Sequence, residues 1–227
     1  MSALFWNLLA TKYAKSPVAD EAAYQRKLEV TRGYFKPDME VLEIGCGTGS
    51  TAVTHAPHVK HIRAVDISSK MLEIARGKAD AKHIENITFE RSSIDGLSVP
   101  EQSLDAVLGL SILHLLRDKE TAIAKVHQML KPGGVFVSST VCAADALKPW
   151  SLEAIFLRFL VPVGSLLGLL PPVQCFSSQE LESSLCEAGF VIDHRWRPDS
   201  GRSVFIVAKK VIAEGSAKKS VVCHASP

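Results

Sequence analysis

Residues 41–50 read VLEIGCGTGS, an apolar run followed directly by three glycines within five residues. Short runs rich in Val, Ile and Leu are typical of buried strands, and glycine permits the tight turn that leads from such a strand into a helix. A backbone without side chains can approach a ribose or a phosphate closely, and the start of the next helix offers unpaired N–H groups. The stretch therefore predicts a nucleotide-binding loop, but it does not by itself select the nucleotide.

The rest of the chain alternates between strand and helix patterns. Strands are predicted at residues 40–45, 61–67, 86–92, 104–110, 134–140, 190–196 and 203–209. Helical periodicity is predicted at 68–79, 119–130 and 177–190, the last with a capping box formed by Ser177 and Glu180 and with Gly189 after its end. This order predicts an α/β, doubly wound, seven-stranded sheet that is mostly parallel and ends in an antiparallel hairpin.

The length of 227 residues suits one domain and not two. We expect a single domain at residues 1–210 and a disordered tail at 211–227. Two apolar segments are predicted to cover the glycine loop as lids, the N-terminal residues 1–36 and an insertion at 145–176. The most apolar stretch, 156–173, is interrupted by Arg158 and Pro162 and is too short to span a bilayer.

Composition excludes several classes of protein. The 26 Lys and Arg residues nearly balance the 24 Asp and Glu residues and are scattered, so no nucleic-acid partner is expected. The five cysteines are odd in number and form no CxxC pair, which predicts reduced, buried thiols and no metal site. The N-terminus lacks the basic region and cleavage pattern of a secretory signal, so we expect a cytoplasmic protein.

Two acidic residues narrow the choice of nucleotide. The second predicted strand carries Asp66, which lies 21 residues after Gly45 and can accept hydrogen bonds from both hydroxyls of an adenosine ribose. The loop itself does not have the G-x-G-x-x-G spacing of dinucleotide sites, and it lacks the Gly-Lys-Ser/Thr of phosphate loops. Glu43 beside the loop would repel a pyrophosphate and suits a cofactor with a positive group. S-adenosylmethionine, which carries a sulfonium and an ammonium, is such a cofactor.

Four segments together resemble class I S-adenosylmethionine-dependent methyltransferases, in the branch that contains the ubiquinone and menaquinone C-methyltransferases. They are VLEIGCGTGS (41–50), AVDIS (64–68), SLDAVLGLSILHLL (103–116) and LKPGGVFVSST (130–140). The resemblance covers about residues 36–141 and implies a Rossmann-like fold. The resemblance identifies the fold specifically, but it gives little information about the substrate.

The resemblance also implies a set of cofactor contacts. Glu43 and the glycine loop would face the methionine part, and Asp66 would hold the ribose. Ser93 stands where such sequences commonly carry an Asp for the adenine amino group, so that contact is expected through the backbone there or through Asp95. The expected cofactor-binding residues are Tyr13, Glu43, Gly45, Cys46, Gly47, Gly49, Asp66, Ile67, Met71, Ser93, Ile94 and Gly109.

His114 is the candidate catalytic residue. Methyl transfer from a sulfonium is an in-line displacement in which the protein chiefly aligns the reactants, and a base is needed only when the acceptor must lose a proton. His114 follows the fourth strand, where the fold places the transfer pocket, although it could instead pack among the neighbouring leucines. Residues 108–111 read LGLS and lack the Asn/Asp-Pro-Pro-Tyr motif of enzymes that methylate base amines.

The apolar covering segments predict a small, apolar methyl acceptor. Two alternatives stay open. One is a lipid or quinone C-methyltransferase that makes peripheral membrane contact through residues 156–173. The other is a noncatalytic S-adenosylmethionine-binding protein. The sequence does not indicate the acceptor atom or the oligomeric state.

Overall fold

A computed structural model of the chain describes residues 3–145, 164, 171–198 and 203–212. Within these ranges the helices are α1 (Ala3–Lys15), α2 (Glu21–Arg32), α3 (Ser50–His55), α4 (Ser69–Ala81), α5 (Lys119–Met129) and α6 (Ser178–Glu187). The strands are β1 (Glu40–Ile44), β2 (His61–Asp66), β3 (Ile87–Arg91), β4 (Leu104–Leu110), β5 (Leu130–Val141), β6 (Phe190–Trp196) and β7 (Ser203–Lys210). All seven predicted strands are present, which confirms the predicted order of elements.

The seven strands form one sheet in the order β3-β2-β1-β4-β5-β7-β6. The first five strands are parallel, and β7 pairs antiparallel with both β5 and β6. The mostly parallel sheet with an antiparallel C-terminal hairpin is therefore confirmed. The order reverses between β1 and β4, and an open α/β sheet binds ligands outside the carboxyl ends of its strands at such a point.

Alternate residues of the central strands enter two separate hydrophobic clusters. In β1, Leu42 packs into one cluster and Val41 into the other, and Phe136 and Val137 of β5 divide in the same way. Successive side chains of a strand point to opposite faces, so the two clusters lie on the two faces of the sheet. Helices α5 and α6 contribute to one cluster and α3 and α4 to the other, which gives the doubly wound, Rossmann-like architecture.

Local signals set the ends of α6. Ser177 and Glu180 form the predicted capping box, with the Ser177 hydroxyl accepting from the Glu180 N–H. Gly189 follows the helix with φ +94°, a conformation that glycine adopts without strain. Both predictions are confirmed.

The prediction of reduced, buried thiols holds for only part of the cysteines. Cys46 and Cys142 are free and buried, whereas Cys175 is free but exposed. Cys186 is disulfide-bonded, so the prediction is wrong for this residue. The number of cysteines and their spacing along the sequence do not show which thiols the fold brings together.

The N-terminal helices are fastened to the domain by polar contacts. The Asn7 Oδ1 atom of α1 accepts from the Ser68 hydroxyl at 2.7 Å and from the Lys70 N–H at 3.2 Å, so it ties α1 to the start of α4. The Arg26 guanidinium of α2 lies 4.4 Å from the centre of the Trp196 ring. Most of the predicted insertion 145–176, and residues 213–227 of the predicted tail, lie outside the described residues.

Candidate functional site

The glycine loop follows β1 at the point where the strand order reverses. Gly45, Gly47 and Gly49 have φ values of +66°, +54° and +72°, a region that residues with a Cβ rarely adopt. A Cβ at Gly45 would also lie 2.7 Å from Ile112 Cδ1, and one at Gly49 would lie 2.6 Å from Ala75 Cβ. The loop therefore requires glycine both for its turn and for its close packing.

Asp66 holds this loop against the end of β2. Its Oδ2 atom accepts from the Gly47 N–H at 2.9 Å, and its Oδ1 atom accepts from the Ser68 N–H at 2.8 Å. Burial raises the pKa of Asp66, and the backbone hydrogen bonds partly offset this rise. The carboxylate lines a cavity and retains lone pairs that can accept further hydrogen bonds there.

A first cavity of about 220 Å³ lies beside Asp66. Its lining brings together predicted site residues from five separate segments of the chain: Tyr13, Gly45, Gly47, Asp66, Ile67, Met71, Ser93, Ile94 and His114. The remaining wall is mostly apolar and includes Trp6, Ile112 and Leu116. A mostly apolar cleft with a few convergent polar groups is typical of a small-molecule or cofactor site.

A second cavity of about 890 Å³ adjoins the first and is covered by residues of α1, α2 and their connection. It contains two further predicted residues, Glu43 and Cys46. The two cavities share five lining residues: Tyr13, Gly45, Gly47, Leu110 and Ser111. One elongated ligand could therefore occupy both cavities across the glycine loop.

Glu43 is a buried acid with an unused oxygen. Its side chain is 3% exposed, and its Oε2 atom has no hydrogen-bond partner among the described residues. Burial, together with the negative charge of Asp66, raises the pKa of Glu43 to about 8. A cationic ligand in the second cavity would compensate the buried charge, so Glu43 fits the ammonium or sulfonium of S-adenosylmethionine.

His114 lies on a short 3-10 helix, Leu113–Leu115, directly after β4. It lines the first cavity, and its buried Nδ1 atom has no hydrogen-bond partner among the described residues. Burial lowers the pKa of His114 to about 4, so the imidazole is neutral at physiological pH. A neutral imidazole can accept a proton, and the ring is near enough to the cavity to meet a bound acceptor.

Two predicted positions, Ser93 and Gly109, make contacts within the fold, and others do not line the cavities. The Ser93 hydroxyl accepts from the Gly96 N–H at 3.2 Å, and Asp95 is exposed and does not line the first cavity. Gly49 and Gly109 line neither cavity. A Cβ at Gly109 would lie 3.1 Å from Phe136 Cε2, so this glycine serves strand packing.

The fold also brings residues to the cavities that no sequence motif indicated. Ser111 has φ +59° and its N–H donates to the Ser139 carbonyl at 2.7 Å, which bends the chain into the space between the cavities. Ser139 is buried, and its Oγ atom has no partner among the described residues. Trp6 and Lys27 come from the N-terminal helices. Both lie in the segment 1–36 that the sequence predicts as a cover of the loop, whereas Ser111 is indicated only by its position after a strand.

The described residues contain neither a candidate membrane span nor a candidate metal site. None of their helices is both long and apolar enough to cross a bilayer. Nor do they contain a group of three or more His, Cys, Asp or Glu side chains that could hold a metal ion.

Comparison with known proteins agrees with this geometry. Residues 41–134 match a family described as a methyltransferase domain. A demethylmenaquinone methyltransferase of Tropheryma whipplei is 32% identical over 125 residues, which are 54% of this chain and 50% of that protein. A malonyl-[acyl-carrier protein] O-methyltransferase of Priestia megaterium is 29% identical over 189 residues, which are 82% of this chain and 66% of that protein.

Solved structures share the fold. The crystal structure of an S-adenosylmethionine dependent methyltransferase from Mesorhizobium loti superposes with a TM-score of 0.63 at 23% identity, covering 82% of this chain and 97% of that one. The chain spans about half the length of curated relatives that it matches. In its sheet order, its glycine loop and its matched segment 41–134, the chain is similar to S-adenosylmethionine-dependent methyltransferases.

Proposed function

We propose that this chain binds S-adenosylmethionine across the two joined cavities and transfers its methyl group to a small, apolar acceptor. The observation that carries the proposal is Glu43, which lines a cavity next to the glycine loop and whose buried Oε2 atom has no hydrogen-bond partner among the described residues. A buried carboxylate of this kind is costly unless a cation compensates it. Asp66, in the adjoining cavity, supplies the acceptor for a ribose diol.

The residues present fit the two ends of this cofactor. Asp66 would accept from the ribose hydroxyls, and Ile67 and Met71 would pack on the adenine in the first cavity. Glu43 and the loop backbone would hold the methionine part in the second cavity, where Tyr13 reaches both regions. The cofactor, when bound, supplies the activated methyl group. The chain contributes alignment and the exclusion of water, and positioning of this kind is worth about 7–11 kcal/mol.

Apolar side chains around His114 support a small and largely apolar acceptor. Ile112, Leu115 and Leu116 line the first cavity close to this histidine. The two curated relatives described above are named for demethylmenaquinone and for malonyl-[acyl-carrier protein] as their substrates. His114 would accept the proton from a methyl acceptor that has to be deprotonated during the transfer.

Release of S-adenosylhomocysteine from S-adenosylmethionine across a panel of small acceptors tests the proposal. The panel should contain quinols, fatty acids and phenols, and calorimetry should measure cofactor binding separately. Turnover with at least one acceptor is the expected result. Failure to bind either form of the cofactor would contradict the proposal, whereas binding without transfer to any acceptor would favour the noncatalytic alternative.

Replacement of His114 separates binding from chemistry. His114→Ala is expected to lower kcat by about 100-fold or more if the acceptor loses a proton to the imidazole, because general bases contribute on that scale. The Kd for S-adenosylhomocysteine should stay within a factor of about three, since the proposal assigns the cofactor contacts to Asp66, Glu43 and the glycine loop and none to the imidazole. His127→Ala is the matched control, because His127 packs on Phe190 and lines neither cavity. An unchanged kcat in His114→Ala would assign this histidine to packing alone.

The alternative is an enzyme that acts at the membrane surface on a lipid or quinone acceptor. The predicted contact segment 156–173 lies largely outside the described residues, but α1 carries Leu4 and Leu8, which are 66% and 76% exposed. Lys12 and Lys15 follow on the same helix and could meet anionic headgroups. Sedimentation with vesicles of anionic lipid separates the two cases, since an enzyme for water-soluble acceptors would stay in the supernatant.

A further inference from the structure

A third cavity of about 370 Å³ adjoins the first cavity near the start of α1. The two cavities share four lining residues: Ile67, Ser92, Ser93 and Leu116. Two arginines, Arg91 and Arg117, line the third cavity, and neither the cofactor contacts nor the chemistry at His114 uses them. The first cavity contains the acid Asp66 and no lysine or arginine among its described lining residues. The basic groups therefore lie to one side of the transfer site.

Local hydrogen bonds place both arginines and leave most of their donors unused. Arg91 ends β3, and its Nε atom donates to the Ile67 carbonyl at 3.1 Å. Arg117 follows the 3-10 helix that carries His114, and its carbonyl accepts from the Gln174 side-chain amide at 2.6 Å. A guanidinium has five N–H donors. Within the described residues, Arg91 uses one of its five and the Arg117 side chain uses none, so both can bind an anion.

The one acid that lines the third cavity does not neutralise the two arginines. No ion pair joins the Asp95 carboxylate to Arg91 or Arg117 within the part of the chain that the structure describes. The Lys125 Nζ atom donates to the carbonyls of Ile94 and Asp95, at 2.8 Å and 3.0 Å. A third cation therefore lies beside Asp95 and balances its charge, and the two guanidinium groups leave the cavity with a net positive charge.

The acids next to the two arginines along the chain have partners elsewhere. Glu90 precedes the first arginine and pairs with Arg63 at 2.7 Å. Asp118 follows the second and caps α5 by accepting from the Thr121 N–H at 2.8 Å and from the Thr121 hydroxyl at 2.7 Å. Neither acid lines the third cavity. The positive charge of the cavity is therefore available to a ligand.

The segment from His114 to Arg117 joins the two cavities. His114 lines the first cavity, Arg117 lines the third, and Leu116 between them lines both. Three residues of chain span at most about 11 Å, so a group bound in the third cavity lies close to the transfer site. Arginine forks match the oxygens of carboxylates and phosphates.

On the basis of the proposed function, we propose that the third cavity binds the anionic group of an amphiphilic methyl acceptor. The group is a phosphate or a carboxylate held by Arg91 and Arg117. The apolar part of the acceptor lies against Leu115 and Leu116 in the first cavity, within reach of His114. This assignment narrows the acceptor from any apolar molecule to one that carries an acidic group about 10 Å from the atom that receives the methyl group.

The test compares two ligands with the same tail, monodecyl phosphate and 1-decanol, by calorimetry on protein saturated with S-adenosylhomocysteine. The wild-type protein should bind monodecyl phosphate about 10-fold or more tightly, because charge-assisted hydrogen bonds favour the phosphate. Arg91→Gln combined with Arg117→Gln should bring this ratio to about one, mainly by weakening monodecyl phosphate. Arg76→Gln combined with Lys82→Gln is the matched control, since it removes two charges from exposed residues that line none of the three cavities.

Each outcome decides the inference. A wild-type ratio near one would overturn it, as would a wild-type ratio in the Arg91/Arg117 variant or an equal loss of preference in the control. Where the double variant does not fold, Arg117→Gln alone should lower the ratio about threefold or more, and Arg117→Lys should retain most of it. An unchanged ratio in Arg117→Gln would then contradict the proposal.

Two further titrations separate the possible failures. Inorganic phosphate alone should bind at least about 10-fold more weakly than monodecyl phosphate, because it lacks the apolar tail. Equal affinities would show a site for a free anion and contradict the amphiphilic acceptor. If the wild-type protein does not bind S-adenosylhomocysteine, the proposed function fails. If it binds S-adenosylhomocysteine without preferring monodecyl phosphate, only the anionic site fails.

Discussion

Asp66→Ala is expected to weaken the binding of S-adenosylhomocysteine by about 100-fold or more. Two hydrogen bonds from ribose hydroxyls to a carboxylate account for a loss on this scale, because bonds to charged groups contribute about 1.5–3 kcal/mol each. The substitution also removes the acceptor of the Gly47 N–H, so the glycine loop loses its anchor to β2. Isothermal titration calorimetry on the folded variant measures the effect.

Asp105→Ala provides the matched control. Asp105 also accepts from a backbone N–H, that of Glu40 at 2.9 Å, and it pairs with Lys131. It lies at the start of β4, at the opposite edge of the sheet from the cavities. This variant should lose stability and keep its affinity for S-adenosylhomocysteine. If the wild type and a folded Asp66→Ala protein bind S-adenosylhomocysteine with equal affinity, the proposal that Asp66 binds the ribose is contradicted.

The affinity for S-adenosylhomocysteine is expected to rise with pH through Glu43. Burial and the neighbouring Asp66 raise the pKa of Glu43 to about 8, so the unliganded protein holds a proton on this acid near pH 7. A bound ammonium favours the ionised carboxylate, and the proton must leave when the ligand binds. Below the raised pKa the affinity should therefore fall by up to about tenfold for each pH unit.

Glu43→Gln tests this linkage because glutamine has the same shape and does not titrate. The variant should bind more weakly near pH 8, where the wild type has gained its charge, and its affinity should vary little between pH 6 and pH 8. Calorimetry in two buffers with different ionisation enthalpies measures proton release directly. The same release from both proteins would assign the proton to another group.

Local chemistry explains why the sequence predicted the strands well. Their runs of Val, Ile and Leu, the capping box before α6 and the glycine after it act over a few residues. The sequence pattern predicts that β5 starts at residue 134, but the strand begins at Leu130, because Leu130 pairs with Leu104 of β4. That pairing joins residues far apart in the chain, and periodicity does not report it.

The candidate site also contains residues that local sequence signals predict and residues that only distant contacts place there. Gly45, Gly47 and Asp66 were predictable because the loop and the acid lie at fixed distances from strands. The tie between Asn7 and Ser68, which positions α1 beside the first cavity, spans 61 residues and has no sequence signal. The sequence offered Asp95 as a substitute for Ser93, and of these two residues only Ser93 lines the first cavity.

The sequence by itself determined the order of strands and helices, the class of cofactor loop and the acid that anchors it, since each depends on neighbours along the chain. Only the tertiary structure decided that β7 lies between β5 and β6, and that Glu43 is buried with an oxygen that has no partner among the described residues. The burial of a side chain and the compensation of its charge depend on the folded structure around it, which is formed by segments that are distant in sequence.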